Sequence, residues 1–255
     1  MIPQLRLDWQ AETHEGRVRE HNEDSLFADS AVGVWAVADG MGGHERGEWA
    51  SAKVVDALGD LIEADRFDRL VEGTTKAIYV ANAAIHAESK TIGQSMGTTV
   101  VALVLKDDRF AVIWAGDSRA YIMRHGALHQ LTRDHTRVQE LIDRGLLTPE
   151  QAEGHPMGHV LSRAVGVMAD LELDAMVDQW QAGDVFLLCS DGLYGVVGDD
   201  EIAATLQAGE IDDVAPRLIE TCLARGAPDN VTVVLVKASE ATVLSLGTPG
   251  QVFSQ

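Results

Sequence analysis

Short apolar runs that meet an acid beside a turn residue recur along this chain, and they leave few folds open to it. Val32–Ala38 (VGVWAVA) runs into Asp39-Gly40, Phe110–Ala115 into Gly116-Asp117, and Val185–Cys189 into Ser190-Asp191-Gly192, while Pro228-Asp229-Asn230 opens the run Val231–Lys237. Runs this short and this continuous predict strands buried on both faces. Between them, Glu48–Ala64 carries Ala52, Val55, Leu58, Leu61 and Ile62 at three-to-four spacing, and Leu70–Glu88 repeats the habit with Val71, Ile78, Ala81 and Ile85. Both patterns predict amphipathic helices.

Further strands are predicted over Thr98–Leu105, Ala120–Met123, Ala127–Leu131 and Leu173–Val177, with Lys106-Asp107-Asp108 as a hairpin-type break after the first. His135–Gly145 reads as a helix, and Thr148-Pro149-Glu150-Gln151 as a capping box opening another. Two more helices begin near Asp199 and Asp213, with Pro216 in the first turn of the second, where it is tolerated. Gly154–Gly166 has no period and is expected to form an irregular flap. No repeat or low-complexity linker divides the chain. Strand runs linked at hairpin length and separated by helix pairs imply antiparallel sheets with helices outside, in one domain.

The acids at the strand ends are the chemical signal. Asp39, Asp117, Asp191 and Asp229 are joined by Glu23-Asp24 near the N-terminus. Unit charges ~4 Å apart repel by about 4 kcal/mol even at an effective dielectric of ~20, so converging carboxylates need a cation. Oxygen ligands of this kind suit Mg²⁺ and Mn²⁺. Taken singly, each Asp-Gly pair reads first as a turn. The recurrence at apolar strands, with Glu23-Asp24, points to a metal site. Arg19, four residues before Glu23, is placed to offer its planar fork to a phosphate, or else is an arginine solvated among Arg17, Glu20 and Glu23.

Forty acids against twenty bases give a net charge of −20, which disfavours binding to nucleic acid or an anionic membrane. Cys189 and Cys222 are too few for a disulfide framework. Residues 1–16 lack the apolar run of a signal peptide, and no apolar stretch reaches the ~20 residues that span a bilayer. A cytoplasmic protein is expected. Other chemistries are poorly matched: Glu45 stands where a dinucleotide loop needs its third glycine, Gly195 where a cysteine phosphatase needs arginine, and Ala120 where a serine-hydrolase elbow closes on glycine.

Seven segments then occur in a telling order: Arg19-Glu20-His21-Asn22-Glu23-Asp24-Ser25, Asp39-Gly40-Met41-Gly42-Gly43-His44, Met96-Gly97-Thr98-Thr99, Gly116-Asp117-Ser118-Arg119, Leu131-Thr132-Arg133-Asp134-His135, Ser190-Asp191-Gly192-Leu193 and Asp229-Asn230-Val231-Thr232. Over roughly residues 9 to 237 the chain resembles the bacterial branch of the metal-dependent Ser/Thr protein phosphatases, the type-2C or PPM family. The resemblance implies an α+β fold, a four-layer α/β/β/α sandwich of two antiparallel β-sheets flanked by helices. It implies a catalytic domain over residues 1–238, with a fraying tail at 239–255. Two core ions, Mn²⁺ or Mg²⁺, would be bridged by Asp39, with the Gly40 carbonyl, Asp191 and Asp229 on the first and Glu23 reaching the second largely through water. Asp117 would share a third, weaker ion with Asp191. Asp24 would orient metal-bound water, and Arg19 would grip the substrate phosphate.

The implied reaction is hydrolysis of phosphoserine or phosphothreonine by a hydroxide bridging the ions, opposing a bacterial Ser/Thr kinase on phosphorylated proteins, with the enzyme a monomer. Met41 stands where animal relatives carry a histidine proposed as general acid; that role does not pass to His44, which reads as structural. The alternative is a catalytically weak phosphoprotein-binding module of the same fold. The flap, roughly His135 to Gly166, is expected to contact the protein around the phosphoresidue.

Overall fold

The computed structural model describes residues 5–42, 45–152 and 154–240. Two antiparallel sheets stack face to face. In chain order the elements are β1 (Leu5–His14), β2 (Asp24–Asp29), β3 (Val34–Met41), α1 (Glu45–Gly59), α2 (Phe67–Ile92), β4 (Gly97–Thr98), β5 (Val100–Lys106), β6 (Arg109–Ala115), β7 (Arg119–Arg124), β8 (Ala127–Gln130), α3 (Arg137–Asp143), α4 (Pro149–Ala152), β9 (Asp174–Gln179), β10 (Val185–Cys189), α5 (Asp191–Tyr194), α6 (Asp199–Ala208), α7 (Ile211–Ala224) and β11 (Val231–Glu240). One sheet runs β1-β11-β10-β7-β8; the other runs β2-β3-β5-β6-β9, with β4 added beside β3.

The continuous apolar runs follow from burial on both faces. On β3, Trp35 and Val37 point between the sheets, where they meet Val101, Leu103, Phe186, Leu188 and Val234. Their neighbours Val34, Ala36 and Ala38 face the other way, against Leu58, Leu70, Ile78 and Ile85 of α1 and α2. The second sheet repeats the scheme: Leu187, Cys189, Val233 and Leu235 pack on α5, α6 and α7 through Leu193, Ile202, Leu218 and Cys222. Helices thus cover both outer faces, and the expected four-layer sandwich is the fold.

Several boundaries differ from the sequence expectation. β1 and β2 have no counterpart among the expected strands, and neither has the one-turn α5 among the helices. β3 continues through Asp39-Gly40 instead of ending there, because Gly40 and Met41 pair with Thr98 and Gly97 of β4. α7 starts at Ile211, so Pro216 sits in its second turn and removes one early backbone hydrogen bond. α3 begins at Arg137, where the Thr136 hydroxyl accepts from the Gln139 N–H at 3.1 Å. The capping box at α4 is present: the Thr148 N–H donates to Gln151 Oε1 at 2.9 Å, and the Gln151 N–H to Thr148 Oγ1 at 3.4 Å. Residues 154–166 form turns and two isolated bridges, as expected for a flap. His44 and the tail from residue 241 lie outside the described residues. No helix among the described residues is long and apolar enough to cross a membrane.

Candidate active site

The antiparallel register brings the acids to one end of both sheets. Asp24 pairs directly with Asp39 across β2 and β3. Asp191 follows β10, Asp229 precedes β11, and Asp117 sits in the link from β6 to β7. A cavity of about 620 Å³ opens there, and Arg19, Glu23, Asp39, Gly40, Asp117, Asp191 and Asp229 all line it. Every candidate from the sequence except Asp24 therefore lines one pocket. Asp24 lies beneath it, buried, and joins the sheets: its Oδ2 accepts from Ser190 Oγ and Thr232 Oγ1, each at 2.7 Å.

The backbone around Asp39 is braced on both sides. Its N–H donates to Thr99 Oγ1 at 2.9 Å, and its carbonyl accepts from Thr98 Oγ1 at 2.9 Å and from the Thr99 N–H at 2.8 Å. Thr99 Oγ1 is also 2.7 Å from Ser118 Oγ, tying this brace to the Asp117 loop. Tyr194 Oη donates to the Asp117 carbonyl at 2.9 Å, and the Arg119 guanidinium stacks 3.7 Å from the Tyr194 ring. Asn230 clasps the N-terminal loop: its Oδ1 accepts from the Glu23 N–H at 2.9 Å, and its Nδ2 donates to the Glu15 and His21 carbonyls.

Gly40 is required for space, not for an unusual backbone angle. A Cβ there would lie 2.1 Å from the Gly47 carbonyl oxygen and 2.6 Å from that of Glu23. Gly47 in turn leaves room for the Glu23 carboxylate, whose Oε2 would be 1.8 Å from a Cβ at residue 47. Thr98, Thr99, Ser190, Thr232, Asn230 and Gly47 carry no role that the sequence alone assigns. Most fall inside the seven ordered segments, where the recurrence of hydroxyl and amide residues beside each acid is the available signal; Gly47 has none.

Electrostatics at this end are strained. Burial, followed by repulsion from Asp24, Asp191, Asp117 and Asp229, holds Asp39 well above the usual carboxylate range. Burial pushes Asp24 up to about 7 despite its two hydroxyl donors. Asp117 is also pushed up to about 7, by burial and then by Asp191. Asp191 is raised by burial and by Asp229. Arg19 brings a cation into contact with them: its Nη2 donates to Asp229 Oδ2 at 2.7 Å. His159 of the flap lines the same cavity, with Nδ1 4.0 Å from Asp191 Oδ2.

Divalent cations fit this donor set. The acids repel one another without a counter-charge, and Asp24 Oδ1 is buried with no hydrogen-bond partner among the described residues. Among the described residues no three His, Cys, Asp or Glu side chains close into a compact ligand cluster. The acids instead ring an open cavity, which suits ions that keep part of their water shell, as Mg²⁺ does.

An acid-ringed pocket at one end of a four-layer sandwich is the arrangement that the resemblance to metal-dependent phosphatases implies. The protein phosphatase 2C family model matches residues 13–232, and the chain belongs to that family. It is 41% identical over 233 residues to the serine/threonine protein phosphatase PstP of Mycobacterium tuberculosis, an alignment covering 91% of this chain but 45% of that protein. It is 35% identical over 236 residues to the serine/threonine phosphatase stp of Listeria innocua, covering 88% of this chain and 93% of the relative. The solved catalytic domain of PstP in complex with two manganese ions superposes with a TM-score of 0.81 at 38% identity, over 93% of this chain and all of that one.

Proposed function

We propose that this protein is a metal-dependent Ser/Thr protein phosphatase that hydrolyses phosphoserine and phosphothreonine in proteins. The observation that carries the reading is the convergence of Glu23, Asp39, Asp117, Asp191, Asp229 and Arg19 on a single cavity, in a chain of this family. Residues 1–238 act as one catalytic domain. Asp39, Asp191, Asp229, Glu23 and the Gly40 carbonyl would hold two ions, Mn²⁺ or Mg²⁺, and Asp117 with Asp191 would hold a third more weakly. When bound, such ions lower the pKa of water by several units and offset charge on the phosphoryl oxygens.

The chain's own groups supply the rest. The braces from Thr98, Thr99, Ser190 and Thr232 keep the acids in place before substrate arrives, so little reorganisation accompanies reaction. Asp24 positions, holding the two sheets in register, and its unpartnered Oδ1 would accept from water carried by a bound ion. Arg19 keeps guanidinium donors beyond the one given to Asp229 and directs them at the substrate phosphate. The substrates are phosphorylated proteins opposite a Ser/Thr kinase in the same cytoplasm, met by a monomeric enzyme.

Phosphate release from a phosphothreonine peptide tests the reading directly. Release is expected with Mn²⁺ or Mg²⁺ and is expected to stop with EDTA. A folded sample inactive under every metal, yet retaining phosphoprotein, would be the binding module instead. Arg19→Ala is expected to raise KM for phosphopeptides about 10- to 100-fold, the worth of one charge-assisted hydrogen bond or two, with metal affinity undiminished. Weakened metal binding at unchanged KM, read by calorimetry and kinetics together, would make Arg19 a support for Asp229 alone.

A further inference from the structure

A second groove, of about 460 Å³, lies against the active-site cavity and is lined in part by Met41, Val160, Leu161, Val167, Met168 and Leu171. Met41 and Leu161 belong to both hollows. The groove presents apolar side chains to solvent: Val160 is 45% exposed, Val167 38% and Met168 64%. Exposed apolar groups on a loose loop would carry little meaning. Here the backbone beneath them is pinned.

The buried Asn82 of α2 accepts from the Gly166 N–H at 2.6 Å and donates to the Met168 and Ala169 carbonyls at 3.0 and 3.2 Å. Gly166 adopts φ +87°, and a Cβ there would lie 2.1 Å from Ile85 Cγ2, so only glycine lets this turn press onto α2. Val165 exchanges backbone hydrogen bonds with Thr98 of β4, at 2.8 and 3.0 Å. The opposite wall is held as firmly: the Arg137 N–H donates to the Val160 carbonyl, and the Ser162 N–H to that of His135, both at 2.8 Å. A fixed frame that holds apolar side chains in water is prepared to bind, because little ordering cost remains to be met on contact.

The occupant follows from continuity. A phosphoresidue in the acidic cavity sends its own chain out past Met41 and Leu161, and an extended chain advances ~3.3–3.6 Å per residue. Residues next to the phosphoresidue, or two or three away, therefore reach the groove. Its one arginine among the described residues, Arg163, is offset by Asp174 at 2.7 Å and Glu172 at 3.6 Å, and Asp170 lines the groove too, so an acidic side chain would meet net negative charge there, in a protein of charge −20. We infer that this groove is a specificity subsite taking an apolar side chain of the phosphoprotein within three residues of the phosphoresidue. The inference rests on the phosphatase reading above.

Phosphothreonine peptides with Leu, Ser or Asp placed at each of the three positions on either side test it, with p-nitrophenyl phosphate as a substrate too small to reach the groove. At one position Leu is expected to exceed Ser by about tenfold or more in kcat/KM, the effect of one buried aliphatic side chain, with Asp poorest. Met168→Asp and Val160→Asp are expected to flatten that preference while p-nitrophenyl phosphate turnover stays at the wild-type rate. A flat profile in the wild type, or a preference that survives both substitutions, with p-nitrophenyl phosphate still turned over, overturns the subsite alone. No turnover of either substrate overturns the phosphatase reading and the subsite together. A dimer in solution that Met168→Asp dissociates would put a second copy on the groove and also overturns it.

Discussion

Asp39→Asn is expected to lower phosphopeptide turnover by on the order of a thousandfold or more while leaving the fold intact, as expected when charge stabilisation and ion binding are both removed. The side chain keeps its shape, and the brace on its backbone comes from Thr98 and Thr99, not from its carboxylate. The variant loses only charge, at the position that the other acids surround. The metal-free protein should respond in the opposite sense. In the wild type, burial and four neighbouring acids hold Asp39 well above its usual range, so folding near neutral pH works against a carboxyl that the unfolded chain leaves ionised and solvated. Asparagine has no such group. With EDTA near neutral pH the variant is expected to melt several degrees above the wild type, each kcal/mol being worth about 2–4 °C at this size. Near the unfolded carboxylate pKa of ~3.9 the two should converge. The stabilisation by added Mn²⁺ should shrink or vanish in the variant. Wild-type-like turnover would sink the two-ion assignment, and a metal-free variant less stable than wild type would sink the repulsion argument.

How much of this was legible in the sequence depends on what each residue had to do. β3, β5, β10 and the start of β11 announce themselves because both faces are buried, so polar residues are scarce along the strand. β1 and β2 are edge strands, one per sheet, and neither carries a long apolar run. Leu7 and Ala11 face the space between the sheets, while Asp8 and Gln10 fall between them, so no continuous run stands out. Asp39, Asp191 and Asp229 were visible because a carboxylate at the rim of an apolar run is anomalous. The hydroxyls that fix them were not, since threonine and serine in strands are ordinary residues until their partners are known. Asp24 shows the limit most clearly. Sequence order puts it beside Glu23, yet it shares the face of its cross-strand partner Asp39 and lies beneath the cavity, in the seam with Ser190 and Thr232. Gly40 enters the sequence reading only through its carbonyl; its need in the fold is clearance from Gly47 and Glu23, two segments that no local pattern brings together.

The metal-free protein is expected to lose stability as pH rises from about 4 to about 7, and added Mn²⁺ is expected to reverse that trend. Asp24 and Asp117 are each pushed up to about 7 in the folded state, chiefly by burial. The unfolded chain gives up those protons near an ordinary ~3.9, so between the two values the native state binds more protons than the unfolded one. Stability is then fully present below the unfolded value and drains away through the folded one. Asp191 and Asp39, also raised, act in the same direction. His135 opposes them, because burial lowers its pKa and the neutral ring is favoured as pH rises toward ~6.5; the lowered carboxyls of Asp174, Asp143, Glu140 and Glu150 oppose them only near the low end of the range. Each tenfold change in proton affinity on folding is worth about 1.4 kcal/mol, and the acids share one field, so together they contribute less than their separate values. A fall in melting temperature on the order of 5–10 °C across this range in EDTA is the expected size at ~2–4 °C per kcal/mol. With millimolar Mn²⁺ the ionised acids become ligands, binding strengthens as they lose protons, and the melting temperature should rise over the same range. Thermal scans at closely spaced pH values, with chelator and with Mn²⁺, read both arms. Curves that stay parallel would mean the acids are not the shared seat of the ions. Curves that diverge once the pH passes the ordinary carboxylate range would tie the repulsion within the metal-free fold to the ions the site is built to hold.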